Sequence, residues 1–272
     1  MRVAVVGHVE WVEFLPVDHV PLAGEIVHVE GSWAEPAGGG AGTAVQLARL
    51  AGGSSFFTAV GEDALGERSL GRLAELGVAV HAARRDAPTR RAFTFLDRNA
   101  ERTITTLGDR LEPHGADHLP WAALAETDAV YFSAGDADAA RYARAARVLV
   151  GTPRGAKALF DVPLDALVYS AKDADERAAA EAMAPRPSLL VATEGAAGGS
   201  WRSSRGVSGR WKPASPPGPV VDQYGAGDCF AAGLTFGLGS GLGTADAIEL
   251  AARCGAWCTS GRGPYEGQLR TP

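Results

Sequence analysis

The stretch from Val221 to Gly239, VDQYGAGDCFAAGLTFGLG, limits the possible folds of this chain more than any other. Gly225, Gly227 and Asp228 fall in a turn, and an apolar Ala/Leu/Phe run follows at once. The pattern predicts a glycine-rich loop that opens a buried helix over about Ala226–Gly239. The first N–H groups of a helix have no internal partner, and the helix dipole adds partial positive charge there. Glycine lets the backbone come close to a ligand. The result is an anion site with the Asp228 carboxylate beside it. The plain alternative is a helix start that uses glycine for packing and Asp228 to compensate the dipole. The chemical reading is that a carboxylate beside an anion cradle takes a proton from a hydroxyl attacking a phosphate.

The rest of the chain predicts an α/β scaffold for that turn. Strands are expected at Arg2–Gly7, Ser55–Val60, Val78–Ala83, Ala129–Ser133, Ala156–Phe160 and Ser188–Thr193. Helices are expected from the Gly38 turn to Gly52, and over Asp63–Leu76, Trp121–Glu126, Ala137–Val150, Asp173–Met183 and Ala245–Ser260. Gly199–Ser203 and Arg210–Pro213 suggest a meander pair. This alternation predicts a mainly parallel sheet covered on both faces, a three-layer α/β/α sandwich in one domain over residues 1–272. Val9–Phe14, Glu25–Trp33 and the hairpin Arg90–Leu107 instead alternate apolar with polar residues. They predict a small β-sheet lid formed by insertions at about 9–35 and 88–108.

Composition narrows the partners. The net charge is −6, from 26 basic and 32 acidic residues, with no basic tract, so nucleic acid is not an expected partner. Apolar runs are short and broken by Gly, Pro or charge, so no membrane partner is expected. MRVAVVGHVEW matches a first strand rather than a leader, and a cytoplasmic protein is expected. Cys254 and Cys258 have the spacing of two metal ligands on one helix face, but without a second pair or a nearby His they match buried thiols. His114 and His118 lack a third ligand in the same way. There is no GxxxxGK[ST] loop. The glycine run at 38–42 does not make GxGxxG, because Thr43 and Val45 occupy the places where the third Gly would fall. That leaves a dinucleotide oxidoreductase only the α/β alternation to rest on.

DQYGAGDCFAAGL closely resembles the C-terminal signature of the ribokinase-like (PfkB) carbohydrate kinases, commonly D-T-x-G-A-G-D-x-F-x-x-G. Other stations follow in order along nearly the whole chain: AVQLARLAGG after a glycine-rich turn, VGEDALGE, NAERTI on the lid hairpin, Thr193-Glu194-Gly195, and an Ala-rich last helix. The resemblance implies a ribokinase-like fold and an ATP-dependent phosphotransferase acting on a hydroxyl of a sugar or sugar-like molecule. It implies Asp228 as catalytic base, and Gly225, Ala226 and Gly227 as the anion hole. Thr193, Gly195, Asp222 and Gly227 are implied on the nucleotide side. It further implies ATP and Mg²⁺, a monovalent cation such as K⁺, and a homodimer formed through the lid. A nucleoside kinase of the same fold, or a catalytically weak sugar- or nucleotide-binding regulator, are the alternatives.

The departures fall on the acceptor side. Gly42, followed by Thr43, stands where the family has an Asn that contacts sugar hydroxyls, and Val12 stands where its sugar-binding Asp should fall. The expected acceptor contacts are therefore Gly38, Gly39, Gly40, Gly42, Thr43 and Asp228, with Glu10 either a compensating hydroxyl acceptor or a solvated lid carboxylate. The family's N-x-x-E, tied to Mg²⁺ and phosphate, has Lys172-Asp173-Ala174-Asp175 as its nearest text, which makes Asp175 the candidate metal-side carboxylate. Trp11 and Trp33 are placed either to stack on a ring or to pack the lid. Arg91 and Arg102 are placed either to neutralise phosphate or to sit in solvent.

Overall fold

A computed structural model describes residues 1–29 and 31–270. In chain order the first half contains β1 (Val3–Val6), β2 (Glu10–Pro16), β3 (Trp33–Ala37), α1 (Gly39–Ala51), β4 (Ser54–Gly61), α2 (Ala64–Glu75), β5 (Val78–Arg85), β6 (Arg91–Leu96) and β7 (Arg102–Leu107). The second half contains β8 (Ala129–Phe132), α3 (Ala137–Arg144), β9 (Val148–Gly151), α4 (Ala156–Leu159), β10 (Ala166–Ser170), α5 (Ala174–Ala182), β11 (Leu189–Thr193), β12 (Gly199–Ser203), β13 (Ser208–Trp211), α6 (Ala226–Gly239) and α7 (Thr244–Cys258).

Nine strands form one sheet in the order β13-β12-β11-β10-β9-β8-β1-β4-β5. All neighbouring strands pair in parallel except at β12, which is antiparallel to both β11 and β13. The interior strand β1 shows why its sequence is apolar without a break. Val3 and Val5 join a core with Val45 and Leu47 of α1, Leu234 of α6 and Ile248 of α7. Ala4 and Val6 join a second core with Ala139, Ala140 and Ala143 of α3, Leu159 of α4 and Ala180 of α5. Successive side chains point to opposite faces, so a strand covered on both sides must be apolar at every position. The three-layer α/β/α sandwich follows from these two cores.

The second sheet has the order β3-β2-β6-β7, with β2 and β6 parallel and the outer pairs antiparallel. Its buried face holds Val12, Phe14, Ala37, Ala92 and Leu96, closed by Tyr224 from the turn before α6. The lid and the glycine-rich turn therefore share one small core.

Three boundaries differ from the sequence expectation. The helix expected over Ala137–Val150 ends at Arg144, and Val148–Gly151 is a strand between β8 and β10. Arg144 closes that helix by donating to the carbonyls of Ala146 and Pro163 and to Asp165. The expected strand Ala156–Phe160 is the short helix α4, and the strand is Ala166–Ser170. Periodicity does not separate helix from strand in runs this short; the parallel pairing of β10 with β9 and β11 does. The expected strand Glu25–Trp33 starts only at Trp33, and its Glu30 lies outside the described residues. The β2–β3 register ends at Phe14↔Trp33. Before it, the chain turns at Gly24 with the Glu25 carboxylate accepting from the Leu22 N–H.

Candidate active site

The glycine-rich turn is built as its composition requires. Gly225 is the residue before α6 and has φ 81°, a left-handed conformation that suits glycine. No side chain caps the first turn, and a Cβ placed on Gly227 would meet nothing within 4 Å. The Ala226 N–H donates to Gln223 O (3.5 Å), no side chain takes the N–H groups that follow, and the space beside Gly227 is open, a setting that suits an anion. Asp222 sets the turn from behind: it is buried, and its two carboxylate oxygens accept from the N–H groups of Tyr224 (2.7 Å) and Gly263 (2.8 Å). Sequence resemblance places Asp222 on the nucleotide side; here its oxygens clamp backbone.

Asp228, in the first turn of α6, leans on the first turn of α1. A Cβ on Gly42 would lie 3.2 Å from one carboxylate oxygen of Asp228, and one on Gly39 would lie 3.4 Å from the other. The position that the resemblance aligns with the family's Asn is therefore crowded by the Asp228 carboxylate, and a side chain there would have to displace it by a few tenths of an ångström. Thr43 is fully buried and donates to Gly39 O (2.8 Å) and Asp228 O (3.2 Å), holding the two helix starts together. Gly40 faces the other way, where a Cβ would strike the His8 carbonyl (2.6 Å) and the Phe56 ring (2.9 Å). Desolvation raises the Asp228 carboxyl above its ordinary range; Arg154 and Arg102 pull it down, and Glu176 pushes it up.

Glu10 is buried at the base of the lid, and its Cγ would lie 3.4 Å from a Cβ on Gly38. Glu10 is thus not the solvated lid carboxylate of the plain reading. Its partner is Arg90, with Nε 3.3 Å from Oε2. Burial raises the Glu10 carboxyl, Arg90 lowers it, and Asp228 raises it. Sequence reasoning missed His8. Its ring lies against Gly38 and Gly39, its Nδ1 is buried without a hydrogen-bond partner among the described residues, and burial with Arg110, Arg90 and Arg154 lowers its pKa to about 3. The signal was present: a histidine directly after β1, at the carboxyl edge of a parallel sheet where α/β proteins bind ligands.

Farther along that edge, Thr193 ends β11 and donates to Tyr169 O (3.2 Å), and Gly195 has φ 65°. A Cβ on Gly195 would come within 3.4 Å of Lys172 Nζ, so a cation stands beside this turn. Asp175 is exposed on the first turn of α5. Its neighbour Glu176 is buried and points inward, accepting from Arg154 Nε (2.7 Å) and Ser170 N (2.9 Å). Reading the motif one residue later, as Asp173-Ala174-Asp175-Glu176, puts Asp173 at the helix cap and Glu176 in the place of the family's Glu. Among the described residues, no group of three or more His, Cys, Asp or Glu is arranged to hold a metal ion.

Other candidates are spent on structure. Trp11 packs beneath Arg68 (4.3 Å), and Trp33 stacks on Phe14 (5.0 Å) with Arg262 on its ring (4.6 Å). Arg91 pairs with Glu13. Arg102 reaches from the lid to Gln223 O (3.1 Å). The three cysteines are buried free thiols, and no helix among the described residues is long and apolar enough to cross a membrane.

The model of the pfkB family carbohydrate kinases matches residues 1–148 and 137–271. This chain belongs to that family. Accordingly it is a carbohydrate kinase, a phosphotransferase with an alcohol group as acceptor. A fructokinase from Klebsiella pneumoniae is 30% identical to it over 284 residues, covering 86% of this chain and 91% of that protein. A ribokinase from Thermotoga maritima shares the fold, with TM-score 0.78 and 20% identity over 99% of this chain and 96% of that one. So does a ribokinase from Arabidopsis thaliana solved with ribose and ATP, with TM-score 0.77 and 18% identity over 99% and 96%.

Proposed function

We propose that this carbohydrate kinase moves the γ-phosphoryl group of MgATP to a hydroxyl of a sugar or sugar-like molecule. In this reading Asp228 is the base and the Gly225-Ala226-Gly227 turn is the anion hole. One observation carries it: the Asp228 carboxylate stands beside the uncapped first turn of α6, facing Gly39 and Gly42 across the acceptor side. Asp228 takes the proton of the attacking hydroxyl, while the α6 N–H groups receive the charge that develops on the transferred group. Burial holds the Asp228 carboxyl above its ordinary range, which strengthens it as a base. Gly38, Gly39, Gly42 and Glu10 line the acceptor, and Thr43 positions Asp228.

ATP suits the edge formed by Thr193, Gly195 and Lys172, where backbone turns and one cation meet. Mg²⁺, when bound, neutralises phosphate charge. It would be held chiefly by phosphate oxygens and water, with Asp175 and Glu176 as the nearest carboxylates of α5. A monovalent cation such as K⁺ belongs to this reading as a cofactor. The lid's outer strand β7 is exposed along its length, including Ile104 and Leu107, and we place a second copy of the chain there.

A coupled ADP-release screen over sugars and nucleosides tests the reading. Stimulated release by at least one compound is expected, with Asp228→Asn losing about 10²–10⁴-fold in kcat. Ligand binding without ADP release from any compound would instead mark a binding regulator. A single-chain mass by sedimentation at micromolar concentration would remove the dimer.

A further inference from the structure

We propose that a second small-molecule site lies in the cavity between the end of α7 and the C-terminal segment. It takes an organic anion with a flat apolar body, and that anion draws Arg262 off the Trp33 ring of the lid.

The cavity has a volume of about 640 Å³, within the ~300–1,000 Å³ usual for small-molecule sites. Part of its lining is apolar: Trp257 of α7, Leu269, Pro217 and Val221. Val221 is 52% exposed, an apolar side chain left in solvent beside a half-buried Trp257. The rest is basic, with Arg262 and Arg270. Among the described residues neither guanidinium holds a carboxylate: Arg262 rests on the Trp33 ring at 4.6 Å, and the Arg270 side chain makes no ion pair or hydrogen bond. Arg253 adds a third cation over the Trp257 ring, at 5.6 Å. The one acidic residue of the lining, Glu266, is turned onto the backbone and accepts from the Arg262 N–H (2.7 Å). The groove beside β12 and β13 shows the contrast. Its arginines are spent, Arg202 on both oxygens of Glu181 and Arg210 on Glu194. Unspent guanidinium forks next to an indole suit a carboxylate, phosphate or sulfonate carried on a flat body.

The segment that carries Arg262 and Arg270 also ties the candidate active site together. The Gly263 N–H donates to Asp222 (2.8 Å), and the Tyr265 hydroxyl donates to Pro36 O of β3. The Gln268 side chain donates to Gly42 O (3.0 Å), and the Gln46 side chain of α1 donates to Leu269 O (2.7 Å). A ligand in the cavity therefore bears on the turn before α6, the lid and α1 at once. Arg262 is the point of competition. On Trp33 it makes a cation–π contact; an anion in the cavity offers a charge-assisted, two-pronged one, which is the stronger of the two. Linkage is reciprocal, so whatever weakens the hold of Trp33 on Arg262 tightens the anion by the same factor.

Fluorescence titration of the full chain tests this with two dyes of similar shape, anilinonaphthalene sulfonate and its neutral counterpart phenylnaphthylamine. The sulfonate is expected to bind about 10-fold or more tightly than the neutral dye. Arg270→Gln should weaken the sulfonate about 10-fold and leave the neutral dye unchanged. Pro217→Asp, which sets a negative charge on the apolar side, should weaken it too and carries the test if the Arg270 variant does not fold. Trp33→Leu removes the ring that holds Arg262 and should tighten the sulfonate about 2- to 5-fold. Saturating ADP should leave the dye in place. Displacement by ADP, equal binding of the two dyes, no binding of the sulfonate, or an unchanged affinity in folded Arg270→Gln protein would overturn the site. An unchanged or weaker affinity in Trp33→Leu would overturn its link to the lid. None of these readouts involves phosphoryl transfer, so a failure of the kinase reading leaves them untouched.

Discussion

The hydroxyl of Thr43 donates to the backbone carbonyl of Asp228 at 3.2 Å, and to Gly39 O at 2.8 Å. It joins the first turns of α1 and α6, the two halves of the candidate site. Thr43→Val keeps the shape but buries a methyl against two carbonyls. The expected cost is about 1 kcal/mol, or roughly 2–4 °C in Tm. Turnover should fall further than that cost alone implies, because Asp228 loses its register with the acceptor turn. Thr43→Ser should restore both. Thermal melts and kcat for the three proteins check this; full activity in the Val variant would remove the positioning role.

Asp228 itself is held at a cost. Burial raises its carboxyl, so the folded protein binds a proton there more readily than the unfolded chain does. For a group raised on folding, the sign is that stability is lost as pH rises through the folded value, and neutral pH carries the full penalty. Asp228→Asn removes the charge and keeps the volume. It is expected to melt higher than wild type at pH 7, by the equivalent of about 0.5–2 kcal/mol, while losing turnover. Calorimetric melts at pH 7 decide it: a lower Tm would mean the carboxylate stabilises the fold rather than serving the reaction.

How much of this was legible differs by region, for physical reasons. The α6 turn was readable because GAGD followed by an apolar run encodes backbone conformation locally: Gly225 adopts its positive φ and the helix starts at Ala226. VGEDALGE was readable as a helix start, and Asp63 caps α2 through Gly66 N (2.7 Å). Its further bonds to Thr89 N and Oγ1 (both 2.7 Å), which anchor the base of the lid, are tertiary and leave no mark in spacing. β9 and β10 were missed because four or five apolar residues acquire strand identity only from parallel neighbours. His8 and Glu176 were missed for a related reason. Each is one residue in a short stretch, and only the fold shows His8 turned toward Gly38 and Glu176 turned in beneath Arg154.

Arg102 reaches from β7 to the turn, donating to Gln223 O at 3.1 Å, while Gln223 donates to Glu101 at 3.1 Å. Its charge lowers the Asp228 carboxyl. Arg102→Gln removes that charge, so the Asp228 value should rise, and the acid limb of the kcat/KM profile should move to higher pH. Stability should change little, since exposed pairs of this kind contribute about 0–1 kcal/mol. An unmoved acid limb would show that Arg102 serves the lid rather than the base.

His8 gives the opposite sign from Asp228, and so an independent check. Its folded value is lowered from 6.5 to about 3, chiefly by burial and then by Arg110, Arg90 and Arg154. Between those values the unfolded chain binds a proton that the folded chain refuses. Stability is then present in full above about pH 6.5 and lost as pH falls toward 3, at up to about 1.4 kcal/mol per pH unit. His8→Gln has no such proton to bind. Its melting temperature should fall less steeply than wild type between pH 6.5 and 4, with every other carboxylate contribution common to both proteins. Parallel slopes would place His8 in a solvated, chargeable setting and remove it from the floor of the acceptor site.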